Sequence, residues 1–103
     1  MAINKLKTFV SDLSGLTVKP TIFSCYGQDA ATATGAIALT SFDAKMGIDD
    51  TSDMFYGCAA LTTFKGDLPN VTNTSNMFYG TNLGSFTGNM PKLINGDNMF
   101  NGC

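Results

Sequence analysis

The sequence predicts an α+β fold: a short solenoid of parallel strands, one per repeat of about 22 residues, with short helical turns between them and a helix at the N-terminus. Three observations carry this. Asp53-Met54-Phe55-Tyr56-Gly57-Cys58 returns as Asn76-Met77-Phe78-Tyr79-Gly80-Thr81 and again as Asn98-Met99-Phe100-Asn101-Gly102-Cys103. A second phrase keeps step with it: Leu39-Thr40-Ser41-Phe42, Leu61-Thr62-Thr63-Phe64 and Leu83-Gly84-Ser85-Phe86 are spaced by 22 and again by 22. After each phrase, alternate residues run large, small, large: Phe42, Ala44, Met46, then Phe64, Gly66, Leu68, then Phe86, Gly88, Met90.

In chain order, residues 2–14 read as a short amphipathic helix. Ile3, Leu6, Phe9, Val10 and Leu13 recur at spacings of three and four, and Gly15 stands where a helix stop favours positive φ. Such a helix either caps the first turn of the solenoid or docks the repeats onto a larger assembly. Thr21-Ile22-Phe23-Ser24-Cys25-Tyr26, introduced by Pro20, reads as a possible first strand. Asp29 to Gly35 reads as a degenerate repeat, with alanines where Met and Phe belong. Residues 1–34 therefore form a helix and a degenerate capping or docking segment, and residues 35–103 the repeats.

The regular strands follow from period-2 alternation, which buries the Phe-small-aliphatic set and turns the other parity to water. That outward set is Ser41, Asp43 and Lys45, then Thr63, Lys65 and Asp67, then Ser85, Thr87 and Asn89, and it is the candidate ligand-binding face. Stacked in register, Asp43 lies beside Lys65 and Lys45 beside Asp67, so a slip of one residue would lose both opposite-charge pairs and expose the phenylalanines. Ile48, Val71 and Leu93 are second inward anchors, and Pro69 and Pro91 fix the corners. The polar runs Asp49 to Asp53, Thr72 to Asn76 and Ile94 to Asn98 read as N-caps of one short helical turn, ended by Gly57, Gly80 and Gly102.

The phrases Ser75-Asn76-Met77-Phe78-Tyr79-Gly80, Met54 to Phe64 and Pro69-Asn70-Val71-Thr72-Asn73 resemble the BspA-like leucine-rich repeats of bacterial surface proteins and gut-associated viral and phage proteins. The resemblance covers roughly residues 35–103, with repeats slightly shorter than that family's usual unit. It implies adhesion and host attachment rather than chemistry.

Composition narrows the function classes. Six lysines against eight aspartates, with no arginine and no basic block, cannot supply a phosphate-neutralising surface, so nucleic acid is not expected as a partner. No apolar run approaches the roughly 20 residues that a membrane span needs, and Met1 to Asp12 carries charge where a secretory leader would be apolar. Without histidine, a Ser-His or Cys-His nucleophile pair is impossible, and no Gly-rich phosphate loop follows a strand. Catalytic residues and cofactors are therefore not expected. Asp49, Asp50 and Asp53 could gather oxygen ligands round a hard cation, although their spacing lacks a calcium-hand pattern and capping accounts for them equally well. No metal site is expected. Cys25, Cys58 and Cys103 read as small buried hydrophobes, since Cys58 and Cys103 lie two repeats apart, out of disulfide reach. The two N-glycosylation patterns, at Asn70 and Asn73, fall in polar turns that use these residues anyway.

The expected function is a non-enzymatic structural and attachment module. Its N-terminal segment is expected to contact other virion or surface proteins, and its repeats to meet a host-surface protein or glycan. The expected place is a virion surface, with a bacterial cell-surface adhesin as the alternative. Because the last phrase stops at Cys103, where Cys58 leads on into a strand, the repeats are expected to be incomplete at the C-terminal end, leaving strand 84–90 an open edge that another chain would pair.

Overall fold

A computed structural model describes residues 3–16, 21–26, 28 and 33–103. Four strands make one parallel sheet in the order β1-β2-β3-β4: β1 Thr8–Leu13, β2 Ser41–Met46, β3 Thr63–Lys65 and β4 Ser85–Thr87. No helix occurs among the described residues, so the α+β class, the helical turns and the N-terminal helix expected from the sequence are all corrected. Parallel strands in repeat register survive: Phe42 pairs with Phe64 and Phe64 with Phe86.

The segment read as a helix is β1. Its register sets Phe9 beside Phe42, Ser11 beside Ala44 and Leu13 beside Met46, the same large-small-large set as in the other strands. Helical spacing put Val10 on the apolar face, yet it is 77% exposed. Phe9 and Leu13 satisfy both periods, and the parallel ladder with β2, together with the β-branched Thr8 and Val10, decides for the strand. Thr21 to Tyr26, read as a first strand, holds turns instead. Of the degenerate repeat, residues 29–32 lie outside the described residues.

Each strand begins one coil of chain, and the coil returns opposite the sheet through a run of turns: 21–26, 50–58, 73–81 and 95–103. In the second coil the amides alternate. Those of Thr51, Asp53, Phe55 and Gly57 donate to the carbonyls of Asn73, Ser75, Met77 and Tyr79 in the next coil at 2.7–3.0 Å, whereas those of Met54, Tyr56 and Cys58 donate three residues back within their own coil. The third coil repeats this towards Asn95, Asp97, Met99 and Asn101. An α-helix needs successive amides to bond four residues back along its own segment. Here every second amide of the second and third coils is taken by the next coil, and every second carbonyl of the fourth is taken by the third, so no helix forms.

Each of the last three coils takes left-handed backbone at two places. Gly57, Gly80 and Gly102 take one with φ of 73°, 74° and 80°, and Asp53, Asn76 and Asn98 take the other with φ of 59°, 55° and 58°. Asp and Asn tolerate that region far better than other non-glycine residues. These three residues were read as helix N-caps, and their role is to turn the chain.

Between sheet and turns lies one core built from aromatic columns. Phe9, Phe42, Phe64 and Phe86 stack with centroids 5.0, 5.5 and 5.2 Å apart and planes within 9°. Phe23, Phe55, Phe78 and Phe100 form a second column at 5.6–5.7 Å and meet the first edge to face, as in Phe64 against Phe78 at 5.1 Å. Met54, Met77 and Met99 are buried behind the turns. The hydroxyls of buried Thr51 and Thr74 donate to the sulfurs of Met77 and Met99, each at 3.2 Å, so neither polar group is left without a partner.

The first coil carries ten extra residues. Cys25 matches Gly57, since its amide donates to Tyr56 as that of Gly57 does to Tyr79. Ala36 matches Cys58, each donating to the carbonyl of the phenylalanine in its own coil, Phe23 or Phe55. Residues 26–35 are thus inserted between equivalent neighbours. Gln28 closes the base of the insertion, its Oε1 accepting the amides of Thr34 and Gly35 at 3.0 and 3.1 Å.

Candidate functional site

The nine residues expected to form the ligand face share one side of the sheet. Ser41, Asp43 and Lys45 come from β2, Thr63 and Lys65 from β3, and Ser85 and Thr87 from β4. Asp67 and Asn89 continue the last two strands, and the Leu68 amide donates to the Asn89 carbonyl at 2.9 Å. All are exposed except Ser41 and Asp43, which are half-buried. Asp43 and Lys65 are register partners, and Asp43, Lys45, Lys65, Asp67 and Thr87 line one shallow groove of about 270 Å³.

Strand β1 widens this face with residues the sequence reading missed. Thr8, Val10 and Asp12 stand beside Ser41, Asp43 and Lys45. The result is a grid of rows across the strands. One row is hydroxyl throughout, Thr8, Ser41, Thr63 and Ser85. The next runs Val10, Asp43, Lys65, Thr87, and a third alternates Asp12, Lys45 and Asp67. The missed signal is Leu6-Lys7-Thr8-Phe9, a copy of Leu39-Thr40-Ser41-Phe42 set 33 residues earlier rather than 22.

The charges on this face are solvated. The Ser14 side chain, and then its amide at 2.9 Å, bond to the Asp12 carboxylate and hold its pKa below the usual range, with Lys45 adding a smaller pull. Full exposure makes it a surface contact and not a stability element.

Two larger concavities of about 320 Å³ each occur, one off the grid and one at its border, where it shares Lys45 and Asp67. The first sits between Thr21, Ser24, Tyr26 and Gln28 on one side and Ser52 to Met54 on the other, and the second among Ser14, Lys45 to Gly47, Asp67, Pro69 and Asn70. The first contains exposed Tyr26, which meets half-buried Tyr56 at 4.7 Å in a column that continues to half-buried Tyr79 at 4.7 Å. Asp53, on its wall, has a buried Oδ1 with no hydrogen-bond partner among the described residues. The aspartates weighed as cation ligands do not converge: Asp50 accepts the Ser52 amide at 2.9 Å, and no group of three potential ligands gathers among the described residues.

The cysteines divide. Cys25 and Cys58 are buried and Cys103 is exposed, all as free thiols. The Cys58 thiol donates to the Phe23 carbonyl at 3.1 Å, and burial pushes both inner thiols up from their ordinary 9.0. Since thiolate is the reactive form, iodoacetamide should alkylate Cys103 in the folded protein and reach Cys25 and Cys58 only after denaturation, as peptide mass mapping would show. Native-state labelling of Cys58 would contradict the packing. With folded-state pKa values raised, the stability these thiols contribute is complete below about pH 9 and is lost as pH rises beyond it.

No family model, curated protein or solved structure matches the chain. The likeness to BspA-like repeats rests on the phrases quoted above. No helix among the described residues is long and apolar enough to cross a membrane.

Proposed function

We propose that this chain is a non-enzymatic attachment module, displayed on a virion surface, whose sheet grid meets a host-surface protein or glycan. The observation that supports this is the grid: a row of hydroxyl side chains crosses all four parallel strands in register, beside rows in which polar and charged side chains alternate. Strands stand about 4.8 Å apart, so the face offers a hydroxyl at regular intervals beside charges that alternate in sign. Each contact is weak, as exposed ion pairs contribute about 0–1 kcal/mol, and repetition along the sheet supplies avidity. A partner that docks at the N-terminal end meets β1, since that segment is the first strand of the described sheet.

The test is a Lys65→Glu/Thr87→Glu double variant, which turns the centre of the grid acidic without touching the core. Multimerised protein should bind features on a glycan array or intact host cells, and the variant should lose that binding while keeping its circular dichroism spectrum and melting temperature. Equal binding by a folded variant would place the contact elsewhere.

A further inference from the structure

The fourth coil differs from the two before it in a way that bears on covalent chemistry. In the second and third coils the residue after the bridging Asp or Asn is threonine: Asp50-Thr51 and Asn73-Thr74. Both threonines are buried, and their amides are tied to the next coil, Thr51 to the Asn73 carbonyl at 2.9 Å and Thr74 to the Asn95 carbonyl at 2.8 Å. The fourth coil reads Asn95-Gly96. Both residues are exposed, and the Gly96 amide has no acceptor among the described residues.

The Asn95 side chain is also held. The Asp97 amide donates to its Oδ1 at 3.0 Å, closing an Asx turn that folds the side chain back over the peptide leading to Gly96. That donor polarises the amide carbonyl and faces the oxygen on which negative charge develops when a nucleophile adds at Cγ. An unbonded amide nitrogen, unshielded by any Cβ, is the nucleophile next in the chain.

From this placement we infer that Asn95 is a site of spontaneous deamidation. The Gly96 amide gives its proton to hydroxide, and the nitrogen attacks Asn95 Cγ. A Cγ–N bond forms, the Cγ–Nδ2 bond breaks, and Nδ2 leaves with a solvent proton as ammonia. Water then opens the five-membered imide at either carbonyl, leaving aspartate or isoaspartate at position 95. Isoaspartate lengthens the main chain by one methylene where the Asn95 amide and carbonyl bridge to Thr72 and Thr74 at 2.9 and 2.8 Å. Either product sets a new carboxylate close to Asp97.

Two other asparagines serve as internal comparisons. Asn73 has the same Asx turn, with the Ser75 amide on its Oδ1 at 3.0 Å, but is followed by a bonded, buried, β-branched threonine. Asn101-Gly102 has a glycine amide without an acceptor among the described residues, but its side chain instead donates to Asn98 Oδ1 at 3.4 Å, and no donor among the described residues reaches its own oxygen.

The test is incubation of the intact 103-residue chain at neutral and mildly alkaline pH, with peptide mass mapping and isoaspartate detection over time. Asn95 should convert first, Asn101 more slowly and Asn73 not at all, with rates rising with pH. In urea the two Asn-Gly pairs should convert alike, which assigns the folded-state lead of Asn95 to its Asx turn. Gly96→Thr copies the third coil and should suppress conversion. It is sterically open, because a Cβ there meets only Leu93 and Thr74 side-chain atoms at 3.5 and 3.6 Å. An Asn95 that stays intact, converts no faster than Asn101 in the folded chain, or converts equally in Gly96→Thr would overturn the inference.

Discussion

Phe64→Ala should destabilise the chain by about 3–5 kcal/mol, the range for deleting a fully buried phenylalanine. Phe64 stands third of four in its column with none of its surface exposed. It stacks on Phe42 at 5.5 Å and on Phe86 at 5.2 Å, and meets Phe55 and Phe78 edge to face at 5.9 and 5.1 Å. Its removal opens both columns at once, and the rigid ladder of coils cannot close the gap without breaking bonds between coils. Since domains of this size have total stabilities of about 5–15 kcal/mol, much of the variant should be unfolded under mild denaturant. Urea titration followed by circular dichroism measures this. Phe86→Ala is the comparison, because Phe86 is half-buried at the end of the column and its loss should cost clearly less. Equal losses at the two positions would mean that the column has no interior.

Gly66→Ala should also destabilise, by about 1–3 kcal/mol or more, although simple expectation has the opposite sign. Adding a methyl to a buried site and removing a flexible glycine from the unfolded chain would each give a gain of up to about 1 kcal/mol. Neighbouring strands carry a Cβ at this level, Ala44 in β2 and Ser11 in β1. At Gly66, however, the added Cβ would run into the Ala44 carbonyl oxygen, and Gly88 is held in the same way against Gly66. The obstruction is backbone, so β2 and β3 must part to admit a methyl group. For a domain of this size the melting temperature should fall by about 4–8 °C for each kcal/mol. An unchanged or raised melting temperature would show that the sheet yields at this point.

Strand parity was legible in the sequence, because the Phe-small-aliphatic sets can be buried together only in one register. The nine outward residues accordingly fall on one face. The first strand was hidden by the ten-residue insertion at 26–35 and a corner one residue longer than in the second coil, which shift Leu6-Lys7-Thr8-Phe9 out of the 22-residue step. With that phrase out of step, the three-and-four spacing of Ile3, Leu6, Phe9 and Leu13 favoured a helix.

The turns were misread for a different reason. Asp53, Asn76 and Asn98 suit a helix N-cap and a left-handed turn equally well. The choice depends on bonds with the neighbouring coil, which takes the Phe55 and Phe78 amides and the Met99 carbonyl, and those contacts come from more than twenty residues away in the chain. The Gly96 amide, which has no acceptor among the described residues, differs likewise from those of Thr51 and Thr74 only through bonds between coils that the local sequence does not encode.

The central claim is that residues 8–13 form the first strand of the four-coil stack. Nuclear Overhauser contacts in an isotope-labelled sample test it most directly. Cross-strand backbone contacts of Phe9 with Phe42, Ser11 with Ala44 and Leu13 with Met46 are expected, together with ring contacts between Phe9 and Phe23, whose centroids lie 5.3 Å apart. Contacts from each residue to the third one along over 3–14, without cross-strand partners in β2, would restore the helix and contradict the account.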